Sequence, residues 1–561
     1  MNFNFLTSVT SVRLLVVLLL AAVSLLFVNL GGSSIWDANE AFYVETPREM
    51  IERGDLVVPF FNYEPRLNKP VLSYWMVAGL YRTFGVSVAV QRFGIAIGAL
   101  LILASAFCLA WLAAGSRPAE AGLHRAAIAG LLAAVGLAVD PRFVMFARRI
   151  FIDIWITAFM ALTLTLFAMS ERFPRRRRQL LVLMYVSVGL GVLTKGPIAV
   201  LLPALVFALY LAVHRELRRA REMMIPTGLL IVLVIVLPWY LALYQRDGWA
   251  PIVSFFVGEN VGRYTTGVGF PTARGLGFYI PVVFSDGFPL SLFLIPAAML
   301  WWRERKEGLP RIQTLLWLWI GVIVAFFSFS HDKQDLYILP IVPAVAALGA
   351  AAISRWEAIP GAVRATAAIL GLVLAMAGAA VLYIFVVLRP AYSFDAAPLV
   401  GLAAASGGVA STLLASRRRV TAAVTAALMA LVVVNWLLVV RILSDLEQQK
   451  PVPALVAFLG DRISSQDVVA TYNVALPSMV YYLQRRVNVY FAPEPFIADA
   501  TVRQRMFGIL PEADYAALGD RLRTRTCVLQ RLPAFEVKLK QVLSGAKPRN
   551  LVLITNQCGT P

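Results

Sequence analysis

The chain has 561 residues, 59% of them hydrophobic and only 15% charged, with a mean hydropathy of +0.74. Soluble proteins average about 45–50% apolar and about 25% charged residues, so a soluble enzyme, a disordered chain and a disulfide scaffold are excluded. Long unbroken apolar runs exclude an outer-membrane barrel, and the net charge of +19 belongs to orienting loops rather than to a nucleic-acid site.

The fold class that follows is an all-α polytopic membrane protein. Its first apolar run, about 12–30, is too long for a signal-peptide core and reads as a retained helix. Further spans are predicted near 88–113, 125–140, 150–170, 180–193, 197–213, 226–244, 275–300, 313–330, 335–353, 367–388, 396–415 and 421–442, about thirteen in all. The basic clusters 117–125, 172–178, 214–221, 303–306 and 417–419 fall in alternate loops, which places them in the cytoplasm. The loops 31–87, 141–149, 194–196, 245–274, 331–334 and 389–395 then face outward. This division gives a transmembrane domain over 1–444, including the first outer loop, and a second domain over 445–561. The tail carries short β-type runs at 468–470, 487–490, 527–529 and 551–554, with amphipathic segments at 502–509 and 515–522, so a small α/β domain outside the membrane is expected. Cys527 and Cys558 lie there on the oxidising side and are candidates to pair.

The outer loops carry the chemistry-bearing residues. The first runs from Trp36-Asp37-Ala38-Asn39-Glu40 through Phe42 and Tyr43, which we expect at the membrane interface, to Asn68-Lys69-Pro70. Asp37 and Glu40 stand at the outer end of the first span, whereas Glu45, Glu49, Glu52 and Asp55 read as caps or solvated acids. Asp153 enters an apolar span, where an ionisable group is costly; it is either functional, a helix cap, or the partner of Arg148 or Arg149. Lys195 sits in a Thr-Lys-Gly-Pro break that presents an ammonium to an anion. The later loops add Glu259, Asn260 and Arg263, then Lys333 and Tyr337 one helical turn apart. Carboxylates beside cations at a membrane boundary suit proton removal from a hydroxyl and stabilisation of a departing phosphate. Three unpaired histidines argue against a histidine-rich metal site.

At these residues the chain resembles the GT-C glycosyltransferases that use polyprenyl-phosphate sugars, in particular the bacterial protein O-mannosyltransferase and lipid A aminoarabinose transferase group. The likeness rests on Glu-Ala-x-Tyr-x-Glu-x-x-Arg-Glu-Met at 40–50, Gly-Asp-x-x-x-Pro at 54–59, Lys-Pro-x-Leu-x-Tyr-Trp at 69–75, Leu-Thr-Lys-Gly at 193–196 and Lys-x-x-x-Tyr-x-Leu-Pro at 333–340. It implies a multi-pass protein of the bacterial inner membrane with its site facing the periplasm. The implied reaction is inverting transfer of a sugar from undecaprenyl phosphate to lipid A, another envelope glycan or a protein, with no nucleic acid involved. Lys69, Lys195, Arg263, Lys333 and Tyr337 would bind the donor phosphate, and Asp37, Glu40 or Asp153 would serve the acceptor hydroxyl, with Asn39, Tyr43, Asn68, Glu259 and Asn260 in support. The family carries Asp where this chain has Asn39, and Glu and His where it has Asn68 and Asn260. The first difference shifts the base to a neighbour; the others remove metal-ligand types and weaken the case for zinc, so no cofactor is certain and a divalent metal is an option. The alternative is a flippase for a lipid-linked sugar, but the matching broken helices of a repeated transporter are not evident.

Overall fold

The computed structural model describes residues 9–115, 120–266, 274–389, 394–460, 462–502, 504–534 and 549–558. Among them, nine helices are long and apolar enough to cross a bilayer, and three shorter apolar helices, Ser11–Ser24, Leu123–Ala138 and Ile198–Val213, lie between or before them. Together with one bent pair they correspond one to one with the predicted spans.

The bent pair corrects the span expected over 275–300. Leu276–Asp286 and Leu290–Glu304 meet at 110°. Asp286 ends the first segment, buried 2.5 Å from the Arg142 guanidinium, and Pro289 cannot donate to a continuing helix. The first segment therefore ends beside Arg142, and the second leaves it at that angle.

The interior of the bundle is built on small residues. Val342–Ser354 is buried along its whole length and packs against Val88–Ala114 and Glu120–Ala138. Its Gly349 lies so close to the bent pair that a Cβ would stand 2.4 Å from the Leu290 carbonyl oxygen. Such close backbone approach drives helix association where lipid cancels the hydrophobic gain. By contrast, Ile225–Asp247 leaves most of its apolar side chains exposed, as a lipid-facing helix does.

Charged side chains sort to two ends. At one end Glu171 binds Arg219 at 2.9 Å and Arg177 at 3.2 Å, and Arg125 meets Glu357 at 3.1 Å. These are the loops assigned to the cytoplasm. The opposite end holds the first outer loop, Lys195, the 254–263 segment and the tail. A chain with one span too many or too few would have mixed the two sets.

In the first loop, strands β1 (Phe60–Phe61) and β2 (Glu64–Pro65) form a minimal hairpin. The tail forms a five-stranded sheet of β3 (Val468–Tyr472), β4 (Asn488–Tyr490), β5 (Met506–Pro511), β6 (Cys527–Ala534) and β7 (Arg549–Thr555), in the order β4-β3-β5-β7-β6. β3 pairs in parallel with β4 and β5, and β7 pairs antiparallel with β5 and β6. Alternate residues bury both faces, Val469, Phe507 and Leu553 on one and Ala470, Met506 and Val552 on the other. β5 begins inside the amphipathic segment 502–509 rather than in one of the β-type runs read from sequence. It is the central strand, and its Met-Phe-Gly-Ile-Leu run is buried on both sides, so it lacks the period-two alternation that marks a half-exposed strand. Gly508 is needed there, because a Cβ would lie 2.9 Å from the Phe496 ring. Cys527 and Cys558 are joined as a disulfide.

Candidate active site

The first loop is folded against both the bundle and the tail. Its helix Asn39–Arg53 ends at Gly54, which adopts φ 68° and returns its N–H to the Ile51 carbonyl. Tyr43 is not at the lipid interface as expected. It is buried, stacked on Tyr74 with centroids 5.5 Å apart and on Phe151 at 6.2 Å. Phe42 instead lies under the Arg66 guanidinium, 3.7 Å away. The acids read as solvated are partly structural. Glu45 is buried in a two-pronged pair with Arg48, at 2.6 and 2.8 Å. Glu49, also buried, accepts the N–H groups of Asn62 and Tyr63 at 2.7 and 2.9 Å. Burial, with Glu45 beside it, pushes the Glu49 carboxyl up to about 7.

Four of the five predicted phosphate ligands gather near Asp153. Asp153 lies in the first turn of Phe151–Arg172, where the helix dipole favours a carboxylate. It pairs with Lys195 rather than with Arg148 or Arg149. Lys195 ends its helix because Gly196 follows at φ 97°, packed so closely that a Cβ would be 2.8 Å from the Phe255 ring. The Lys195 ammonium stands 5.4 Å from the centre of the Tyr337 ring. Tyr337 donates its hydroxyl to Asp332 at 2.9 Å and has Arg263 beside it. Glu259 ties the remaining cations together, binding Arg263 at 3.0 Å and Lys69 at 3.4 Å. Burial pushes the Lys69 ammonium down to about 8; Glu259 opposes this, while Arg263 and Lys195 add to it. Three cations thus crowd a space with only two carboxylates, Asp153 and Glu259, directly paired to them. Lys333 is buried too, but its ammonium donates to the Ser330 carbonyl of its own turn at 2.5 Å.

The two acids of the first loop have different partners. Glu40 is buried and takes both prongs of Arg92, at 2.6 and 3.0 Å. Arg92 also donates to the carbonyls of Leu30, Ser33 and Ser34, so this pair anchors the loop to the helix Val88–Ala114. Asp37 is accessible and accepts the backbone N–H and the hydroxyl of Ser478, at 2.6 and 2.7 Å. Surrounding protein raises its carboxyl to about 6 against the pull of the Ser478 bonds and Lys450. We expect Glu40→Gln to cost about 3–5 kcal/mol, the usual loss when one partner of a buried ion pair is removed. Thermal unfolding of the purified variant measures it; an unchanged melting temperature would deny Glu40 this anchoring role.

Asn39 is exposed at the start of its helix, and Asn68 is half-buried next to Lys69. Asn260 donates to the Phe255 carbonyl at 2.7 Å. Among the described residues no group of three His, Cys, Asp or Glu side chains is placed to hold a metal ion. An ammonium and a guanidinium flank Glu259 where a ligand set would need more anions, so these residues do not fit a zinc site.

Sequence reasoning missed Arg92 and Ser478. Arg92 carried a signal, since a charged residue in the apolar 88–113 run is expensive without a partner. Ser478 carried none: its contact with Asp37 spans 441 positions.

The fold and part of the sequence have known counterparts. Residues 10–248 match the family model of dolichyl-phosphate-mannose-protein mannosyltransferases. The chain is 30% identical over 351 residues to an undecaprenyl phosphate-alpha-4-amino-4-deoxy-L-arabinose arabinosyl transferase of Pseudomonas fluorescens, covering 60% of this chain and 57% of that one. A protein of the same description from Pseudomonas aeruginosa is 31% identical over 354 residues, with 60% and 59% covered. The chain thus spans less than two thirds of the length of these relatives. The crystal structure of ArnT from Cupriavidus metallidurans bound to undecaprenyl phosphate superposes with a TM-score of 0.73 at 20% identity, over 97% of this chain and 99% of that one. Its apo state gives a TM-score of 0.74. The chain is a multi-pass membrane protein with the GT-C-like fold, resembling the polyprenyl-phosphate-sugar glycosyltransferases in both sequence and architecture.

Proposed function

We propose that the protein is an inverting glycosyltransferase of the bacterial inner membrane, taking a sugar from undecaprenyl phosphate at the periplasmic face. The observation that carries this reading is the convergence of Lys69, Lys195, Arg263 and Tyr337 beside Asp153. A phosphate monoester leaving group gathers negative charge as the anomeric C–O bond breaks, and preplaced cations stabilise that charge without reorganisation. Asp153 holds Lys195 in place until the donor arrives. The lipid portion of the donor stays in the bilayer.

Asp37 takes the proton from the acceptor hydroxyl. A base works best with a pKa near the working pH, and Asp37, unlike Glu40, is not locked into an ion pair. The hydroxyl oxygen attacks the anomeric carbon from the face opposite the phosphate; polyprenyl phosphate departs and the configuration inverts. Lys333 supports the turn that carries Tyr337. The acceptor is a periplasmic-side lipid, glycan or protein, with lipid A suggested by the resemblance.

The test is reconstitution in nanodiscs with an undecaprenyl-phosphate sugar and a lipid A acceptor, followed by mass spectrometry. The expected result is glycosylated acceptor and free undecaprenyl phosphate in equal amounts. Movement of intact donor between leaflets with no product would support the flippase instead.

A further inference from the structure

A second positive centre lies beside Asp37 and is not used by the donor. Arg149 sits 3.7 Å over the Trp36 ring, and the Lys450 ammonium lies 4.6 Å from the same ring. The nearby charges are otherwise accounted for. Glu40 is bound by Arg92. Glu447 pairs with Lys450 at 3.1 Å. Asp37 is held by Ser478. Arg148 donates to the carbonyls of Leu25 and Asn29. Lys450 also donates to Ser34. Among the described residues Arg149 has no carboxylate partner: its Nη2 is buried with no hydrogen-bond partner, and so is Nε1 of Trp36. Two buried donors, one of them cationic, face each other's residue without an acceptor, a costly arrangement that an anion relieves. Burial pushes the Arg149 guanidinium down to about 9, and Arg92 and Arg148 add to the push while Glu40 opposes it.

We propose that Arg149 and the Trp36 indole N–H anchor an anionic group of the acceptor, a phosphate or a carboxylate. This deepens the transferase reading and rests on it for the word acceptor. Arg149 lies in the turn that leads into the helix Phe151–Arg172, whose first turn carries Asp153 bound to Lys195, and Trp36 adjoins Asp37. An acceptor tethered there brings its hydroxyl between the base and the donor phosphate. Arg149 is a binding residue in this scheme and takes no proton.

The experiment uses the full chain in nanodiscs and native mass spectrometry with four probes: phosphatidic acid, glucuronosyl diacylglycerol, diacylglycerol and undecaprenyl phosphate. One of the two anionic lipids should bind at least tenfold more tightly than diacylglycerol, and which one does tells phosphate from carboxylate. Arg149→Gln should abolish that preference, Arg149→Lys should keep part of it, and both should bind undecaprenyl phosphate as the wild type does. Equal retention of the anionic lipid by Arg149→Gln overturns the proposal, and so does loss of undecaprenyl phosphate in parallel, which would make the two centres one site. If the wild type binds no undecaprenyl phosphate while the anionic lipid still depends on Arg149, the anion site stands and the transferase reading falls.

Discussion

Asp37→Asn is expected to lower turnover about 10²–10⁴-fold, the usual contribution of a positioned general base. The amide keeps the shape of the carboxylate and can still accept from Ser478, so the tail stays docked and the loss is chemical. The pH profile separates this from a packing defect. Burial raises the Asp37 carboxyl to about 6; below that it is protonated and cannot take the acceptor's proton, and above it is a base. The Lys69 ammonium titrates near 8; below that it is charged and attracts phosphate, and above it is neutral. The free protein should therefore show a bell-shaped kcat/KM with a rising limb near the first value and a falling limb near the second. Asp37→Asn should remove the rising limb, and Lys69→Arg should carry the falling limb to higher pH. A rising limb that persists in Asp37→Asn would move the base to another carboxylate, Asp153 first.

Replacing Lys195 with Met should cost about 10²–10³-fold in kcat, the scale seen when one preplaced charge-stabilising donor is lost. The single variant carries a second penalty, because Asp153 is left buried without its cation. Removing one partner of such a pair costs up to about 3–5 kcal/mol of stability. The double variant Lys195→Met with Asp153→Asn separates the two effects. It should recover the melting temperature of the wild type and stay catalytically impaired. Recovery of turnover together with stability would reduce the pair to a structural bridge.

The membrane map was legible because hydropathy and charge report the same thing independently: apolar runs give spans, and the alternation of arginine-rich loops fixes their number. The exceptions have local causes. Asp286 and Pro289 together bend a run that composition alone leaves straight, and the β5 strand is buried on both faces, so its period is silent. The candidate site was legible as a set of residues but not as a set of partners. Lys195, Arg263 and Tyr337 stood out as polar groups at the ends of apolar runs. Whether Glu40 or Asp37 was free depended on Arg92 and Ser478, which reach them through the fold. The anion centre at Arg149 was hidden for the same reason. An arginine beside a helix start reads as an ordinary interfacial cation until every nearby carboxylate is seen to be taken.

The proposed reaction requires Lys69, Lys195 and Arg263 to form one pocket for the phosphate of a polyprenyl lipid. Its most direct test is the affinity of the purified protein for undecaprenyl phosphate against undecaprenol, in the wild type and in the variant with all three cations changed to Met. The wild type should strongly prefer the phosphate, and the variant should lose that preference. Equal binding of the two lipids by the wild type, or an undiminished preference in the variant, would contradict that requirement.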